Sequence, residues 1–198
     1  MVEKKLTEEL KRGRKIADPK CNRLKENIAL AQQQKHVDWF YRFSDAIGAE
    51  NAAIRDKIRD ETGEDLLTLY PELKSLSEAL RNQIVGNNNK IHMIATKHTS
   101  LGLSKEDAKG QIHDLRDENY MLDRVHFILD GESPLAEFEA RAEGILGSYR
   151  AINHVLDMHV TDEEDPEGIW LQDHSFDYNS KIYQLSVTYT SLTGETLR

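Results

Sequence analysis

Apolar residues in this chain recur at steps of three and four, the spacing that gathers them on one side of an α-helix. The longest run is Leu135, Phe138, Ala142, Ile145, Tyr149, Ile152, Leu156 and His159. Ser133-Pro134 opens it, with serine as a capping acceptor and proline at the first helical position. Ala108, Ile112, Leu115, Leu122, Val125 and Leu129 form the preceding seam, which begins at Ser104 and stops at Asp130-Gly131. Pro71 opens another, carrying Leu73, Leu76, Leu80 and Ile84. Gly86-Asn87-Asn88-Asn89 interrupts it, yet Ile91, Ile94, His98 and Leu101 resume in phase, with Asn87 on the seam. The spacing therefore predicts one helix with a weakened middle.

Near the start, residues 3–16 predict a short helix with Leu6, Leu10 and Ile16 on one side. Asp18-Pro19 reads as a stop and restart. The following helix runs to about Glu61, with Gly63 as its terminator. Its seam is led by Leu24, Ile28 and Ala31 and slips phase at Gln32-Gln33-Gln34 before Phe40, Phe43, Ile47, Ile54 and Ile58. Glu64–Leu69 fits a turn or two. At the other end, Tyr183, Leu185, Val187 and Tyr189 alternate like a strand that Ile169–Phe176 could pair with, whereas Tyr178, Ile182, Leu185, Tyr189 and Leu192 fit a helix. The helical surroundings favour the helix.

These elements predict a mainly all-α protein built as an elongated antiparallel bundle of about four long helices. Residues 1–17 form a basic arm, 18–160 the bundle, 161–168 an acidic linker and 169–198 an aromatic segment, either helix or β-hairpin.

Composition fits long helices: 38% of the 198 residues are hydrophobic and 31% charged. No stretch approaches the roughly 18 apolar residues of a membrane span. Cys21 is alone, so no internal disulfide forms, and a soluble cytoplasmic protein is expected. The net charge of −9 disfavours broad binding to nucleic acid or anionic lipid. Residues 1–25 nevertheless hold nine basic and four acidic side chains, leaving −14 on the rest. Lys11, Arg12, Arg14 and Lys15 are the candidate contacts for phosphate or another polyanion, so a nucleic-acid tether is possible through residues 1–25 only.

Catalytic chemistry has weaker support. Of eight histidines, only His98 and His159 occupy seam positions, while His92, His113 and His154 should face solvent and His126 flanks its seam. Folding the last three long helices up, down and up, with turns near 102 and 131, makes His98 and His159 face the core at the same bundle end, within about one helical turn of each other. They are the candidate metal ligands, for zinc, iron or manganese, of a helical-bundle hydrolase or oxidoreductase. A third inward ligand is missing, since Asp123-Arg124-Val125-His126 gives one aspartate-based copy of the carboxylate–histidine spacing used in such bundles. His113-Asp114 resembles the pair of metal-dependent phosphohydrolases but falls on an outward face. Cys21, beside Lys20 and Arg23 and just inside the helix expected to start at Pro19, reads as a surface thiol of lowered pKa with no histidine near it. Gly-rich phosphate loops are absent, and the acidic run at 162–167 lacks the alternating ligands of a calcium loop.

Aromatic residues point elsewhere. Trp39, Phe40, Tyr41 and Phe43 cluster in one segment, and Trp170, Phe176, Tyr178, Tyr183 and Tyr189 in another. Consecutive rings spread over more than half of a helix circumference, too wide for one seam. Either another element, such as the aromatic tail folding back on its own bundle, or a partner must cover the surplus. The expected role is non-catalytic protein–protein interaction (adaptor, inhibitor or assembly factor) with self-association into a homodimer or larger homo-oligomer. Trp39, Tyr41, Trp170, Tyr183 and Tyr189 are the expected contact residues, and no cofactor is required.

Overall fold

The computed structural model describes the backbone of residues 2–33, 37–161 and 169–197, and side chains throughout these except at 2–7, 31, 33, 37–46, 159–161 and 169–173. Every regular element among the described residues is helical: α1 (Val2–Gln33), α2 (Val37–Thr62), α3 (Leu66–Leu69), α4 (Pro71–Lys97), α5 (Lys105–Asp130), α6 (Pro134–Thr161) and α7 (Ile169–Thr193). The all-α expectation holds. Six of these helices are long where about four were expected, because the segment after Pro19 ends at Gln33 and because residues 169–193 form a helix with no strand. No described helix is long and apolar enough to cross a membrane.

The chain divides into two compact units. Unit 1 holds residues 1–84 and 116–134, and unit 2 holds residues 85–115 and 135–198.

In unit 1, α1 and α2 lie antiparallel, with Lys20 bonded to Glu61 and Arg23 to Glu50. The core comprises Ala17, Cys21, Leu24 and Ile28 of α1, Ile47 and Ile58 of α2, Leu66 and Leu69 of α3, Leu73 and Leu80 of α4, and Val125, Ile128 and Leu129 of α5. Tyr70, in the link before α4, joins it. One polar layer crosses this core. The Asn27 amide donates to Asn51 Oδ1 and to Glu50 Oε2, both at 3.3 Å, and the Asn51 amide donates to the Ile47 carbonyl at 2.7 Å.

The expected break at Asp18-Pro19 is absent, because α1 runs through it. Its buried face reads Gly13, Ala17, Cys21, Leu24 and Ile28, continuous on both sides of Pro19. Pro19 itself is exposed, so the carbonyl it leaves unbonded, that of Lys15, belongs to an exposed stretch. An interior proline costs about 3 kcal/mol, whereas each large aliphatic side chain fully buried along the seam returns roughly 1.5–3 kcal/mol. The seam outweighs the breaker. Asp18 is not a cap; its Oδ1 accepts the Tyr70 hydroxyl at 2.7 Å. Helix continuity also rotates Ile16 off the seam, leaving it 38% exposed. Gly13 takes the inward place, and a Cβ there would meet Leu69 Cδ2 at 2.9 Å, so a larger residue would require the Leu69 side chain to shift.

The other breakers behave as expected. Gly63 and Gly131 end α2 and α5 at φ +73° and +88°, donating to the Arg59 and Phe127 carbonyls. Ser104 caps α5 by accepting the Asp107 amide at 3.1 Å. Continuous helix α4 passes through Gly86–Asn89.

Unit 2 buries Ile91 and Ile94 of α4, Ala108 of α5, Phe138, Ala142 and Ile145 of α6, and Leu192 of α7. The last turn of α7 is fixed to α4: the Asn88 amide donates to the Leu192 carbonyl, and Gly194, at φ +75°, lies so close that a Cβ would meet the Asn88 carbonyl at 2.9 Å. Within the asparagine-rich stretch Asn88 is thus tied to α7, while Asn87 is buried with its Nδ2 unpartnered among the described residues and Asn89 is exposed.

Replacing Pro19 with alanine tests the continuity of α1. In an unbroken helix Pro19→Ala raises stability by about 1–3 kcal/mol. At a first-turn position the same change would be neutral or destabilising. Urea unfolding followed by circular dichroism separates the two.

Candidate functional site

Helix α7 has two apolar faces. One carries Tyr178, Ile182, Leu185, Tyr189 and Leu192, of which Leu192 is buried and the others partly so. The opposite face carries Phe176, Tyr183 and Val187, which are 79%, 70% and 50% exposed. These three sit seven and four residues apart, so they form one stripe along the outer side of the helix. Ser180 lies between the two rings on the same stripe, flanked by uncharged Asn179, Gln184 and Ser186. A cluster of large apolar side chains held in water is the informative kind of exposure.

Tyr183, an expected contact residue, is exposed on this outer stripe. Tyr189 belongs to the inward face and is partly buried. The side chains of Trp39, Tyr41 and Trp170 lie outside the described residues. Phe176 is the most exposed large apolar residue among those described and was not among the expected contacts; its position one heptad before Tyr183 was the available signal.

The histidines rearrange the metal hypothesis. His98 is partly buried, and the His159 side chain lies outside the described residues. Among the described residues, no three histidine, cysteine, aspartate or glutamate side chains cluster closely enough to hold a metal ion. His113 and His154 are exposed, as expected. His92 is not: it is partly buried, and its Nδ1 is sealed from solvent with no hydrogen-bond partner among the described residues. His126 is the buried histidine, 2% exposed. Its Nδ1 lies 3.0 Å from the Glu132 carbonyl and its Nε2 3.8 Å from Asp130 Oδ2, an arrangement that ties the α5–α6 turn to the last turn of α5.

The basic arm is partly committed. Lys11 pairs with Glu8 at 3.7 Å, and Arg14 donates to the Leu69 carbonyl and lies 3.8 Å from Glu72. Arg12 and Lys15 remain exposed. The positive head found in the sequence is therefore partly neutralised by carboxylates from the helices it packs on.

Cys21 differs most from expectation. It is 1% exposed and lies in the middle of α1, away from any helix start, because Pro19 opens no helix. Burial pushes its thiol above the ordinary value, and the nearby Lys25 opposes this only in part. The adjacent Tyr70 phenol is also held up, by burial first and then by its bond to Asp18. Arg14 and Lys25 approach the Tyr70 ring to 5.4 and 5.3 Å of its centroid. This is a structural knot with a thiol poorly suited to nucleophilic attack.

A cleft of about 720 Å³ opens in unit 1. Arg55, Arg59 and Lys74 line it opposite Asp56, Asp65 and Asp130, so its formal charges cancel. Arg55 is already engaged, because its Nη1 donates to the Phe127 carbonyl at 3.0 Å and to that of Ile128. It thereby closes the C-terminal end of α5, whose dipole favours a cation. Burial lowers the Arg55 pKa. Arg59 is bonded to Asp56 at 2.7 Å.

No protein-family model, curated protein or solved structure matches this chain. The arrangement of side chains is therefore what bears on function, and the outer stripe of α7 is its strongest feature.

The Cys21–Tyr70 knot has a pH signature. Both groups hold their protons to higher pH folded than unfolded, so the unfolded chain deprotonates first. Stability is full below the ordinary thiol and phenol values of about 8.5 and 10 and falls as pH rises past them. Urea midpoints measured from pH ~7 to ~10.5 should decline, and Tyr70→Phe should flatten the alkaline part of that decline. An unchanged slope in Tyr70→Phe would contradict the assignment.

Proposed function

We propose that this chain is a non-catalytic protein–protein interaction protein that self-associates through the outer face of α7. The observation that carries this reading is the exposure of Phe176, Tyr183 and Val187 at helical spacing. Aromatic rings are enriched at interface hot spots, and charged residues are depleted from interface centres. The stripe has both properties.

A second copy is the occupant that fits best. If two α7 helices cross antiparallel at Ser180, Phe176 of each meets Tyr183 of the other, so the contact is made twice about one two-fold axis. The small Ser180 side chain permits close approach at the crossing. Each aromatic pair contributes about 0.5–1.5 kcal/mol beyond the apolar area it buries. A role as adaptor, inhibitor or assembly factor fits a helical body that presents fixed surfaces. A cytoplasmic setting fits the single cysteine, held as a buried thiol.

Light scattering on the full chain tests the reading. The expected mass is that of a dimer, and the double variant Phe176→Asp, Tyr183→Asp should be monomeric with unchanged helical circular dichroism. A wild-type chain that stays monomeric at about 100 μM, well above the micromolar range of modest interfaces, contradicts it.

A further inference from the structure

A second surface of unit 2 has a different chemistry. A groove of about 370 Å³ runs between α6 and α7, with Ile145, Ile152 and Leu185 as its apolar lining. Two cations, Arg141 and Lys181, complete it, and no carboxylate lines it. The hydroxyls of Ser148 and Thr188 are turned back to the carbonyls of Gly144 and Gln184 on their own helices.

The two cations at the groove are not held by carboxylates of the described residues. In unit 1, Lys11, Arg14, Lys20, Arg23 and Arg59 each have a carboxylate partner. Among the described residues Arg141 has none, and Lys181 has only the Tyr178 ring, 5.5 Å from its centroid. A chain of net charge −9 thus keeps two unneutralised cations beside one apolar groove.

Their spacing narrows the ligand. Thr161 and Ile169 are eight residues apart, a reach of less than about 30 Å, too short for α7 to lie parallel to α6 at this groove. The helices are therefore antiparallel, with Arg141 toward the Thr188 end and Lys181 toward the Ile152 end. Seven residues separate Lys181 from Thr188, or about 10 Å along the axis. Two turns of a third helix span the same distance.

We propose that this groove docks an acidic amphipathic helix of a partner protein, with carboxylates seven residues apart on Arg141 and Lys181 and aliphatic side chains between them on the half-buried Ile152 and Leu185, above the buried Ile145 at the groove floor. A single fatty-acid carboxylate satisfies one cation and leaves the other. The groove lies about a third of a turn around α7 from the Phe176–Tyr183–Val187 stripe, so docking and self-association are independent.

Fluorescence anisotropy on the full chain tests this, using a labelled alanine-based helical peptide with two glutamates seven positions apart and leucines between them. Saturable binding is expected, weakened about tenfold or more by Arg141→Glu with Lys181→Glu, by glutamine for glutamate in the peptide, and by high salt. The milder pair Arg141→Gln, Lys181→Gln should give a smaller loss, and the mass by light scattering should not change in any variant. Absent binding at about 1 mM peptide, equal binding of the glutamine peptide, or insensitivity to both pairs of variants would overturn the proposal. So would retention on phosphatidylserine vesicles without peptide uptake, which would assign the cations to a lipid surface.

Discussion

A helix whose apolar residues recur every three or four positions can hide them only by lying against another helix, and that need decides where this chain bends and where it does not. In α1 the buried positions keep their phase from Gly13 to Ile28, and Pro19 falls on the exposed side of the run. The local cost of an interior proline is set against several buried side chains, each worth a comparable amount. In α4 the same balance carries the helix across Gly86–Asn89, where Asn88 gains a bond to the end of α7. Glycine has its expected effect where the seam ends, at Gly63 and Gly131, and the chain turns.

Polar residues on the seams add selectivity to this apolar drive. Asn27 and Asn51 meet across α1 and α2, and sliding either helix by one turn would break the bond from the Asn27 amide to Asn51 Oδ1. His126 at the end of α5 has a related role, holding the turn that leads into α6. Such groups favour one alignment over many of similar hydrophobic content. Arg55 adds a third device, a cation closing the carbonyl end of α5.

Much of this was legible from spacing. The seams of Leu73–Ile94 and of Phe138–Ile145 are buried or half-buried where periodicity put them. The helical choice for residues 169–193 followed from context, since alternation alone fitted a strand equally well. What failed was punctuation. Asp18-Pro19 carries every local mark of a helix start, and only the continuity of Ala17, Cys21 and Leu24 across it, a tertiary property, overrules those marks. That error displaced Ile16 and Cys21 together, turning a buried thiol into an expected surface one. Tyr183 was picked out by its place in the aromatic cluster and in the alternating run, whereas the stripe it shares with Phe176 needed the helix to be known first. The long-range bond of Tyr70 to Asp18 and the docking of Arg55 onto α5 join residues far apart in the chain, and no local pattern announces them.

The outer stripe and the cationic groove of α7 follow from the same constraint. Once one face is committed inward, the apolar and cationic side chains left over on the stripe and in the groove are available to another molecule. The central claim is that apolar periodicity outweighs local helix breakers, and amide hydrogen exchange read residue by residue tests it most directly. Continuous protection from residues 20 to 28 and 84 to 94, with slow exchange at Gly86–Asn89 and on both sides of Pro19, is the predicted result. Exchange at unfolded-chain rates in residues 16–20 or 86–89, flanked by protected helix, would contradict it.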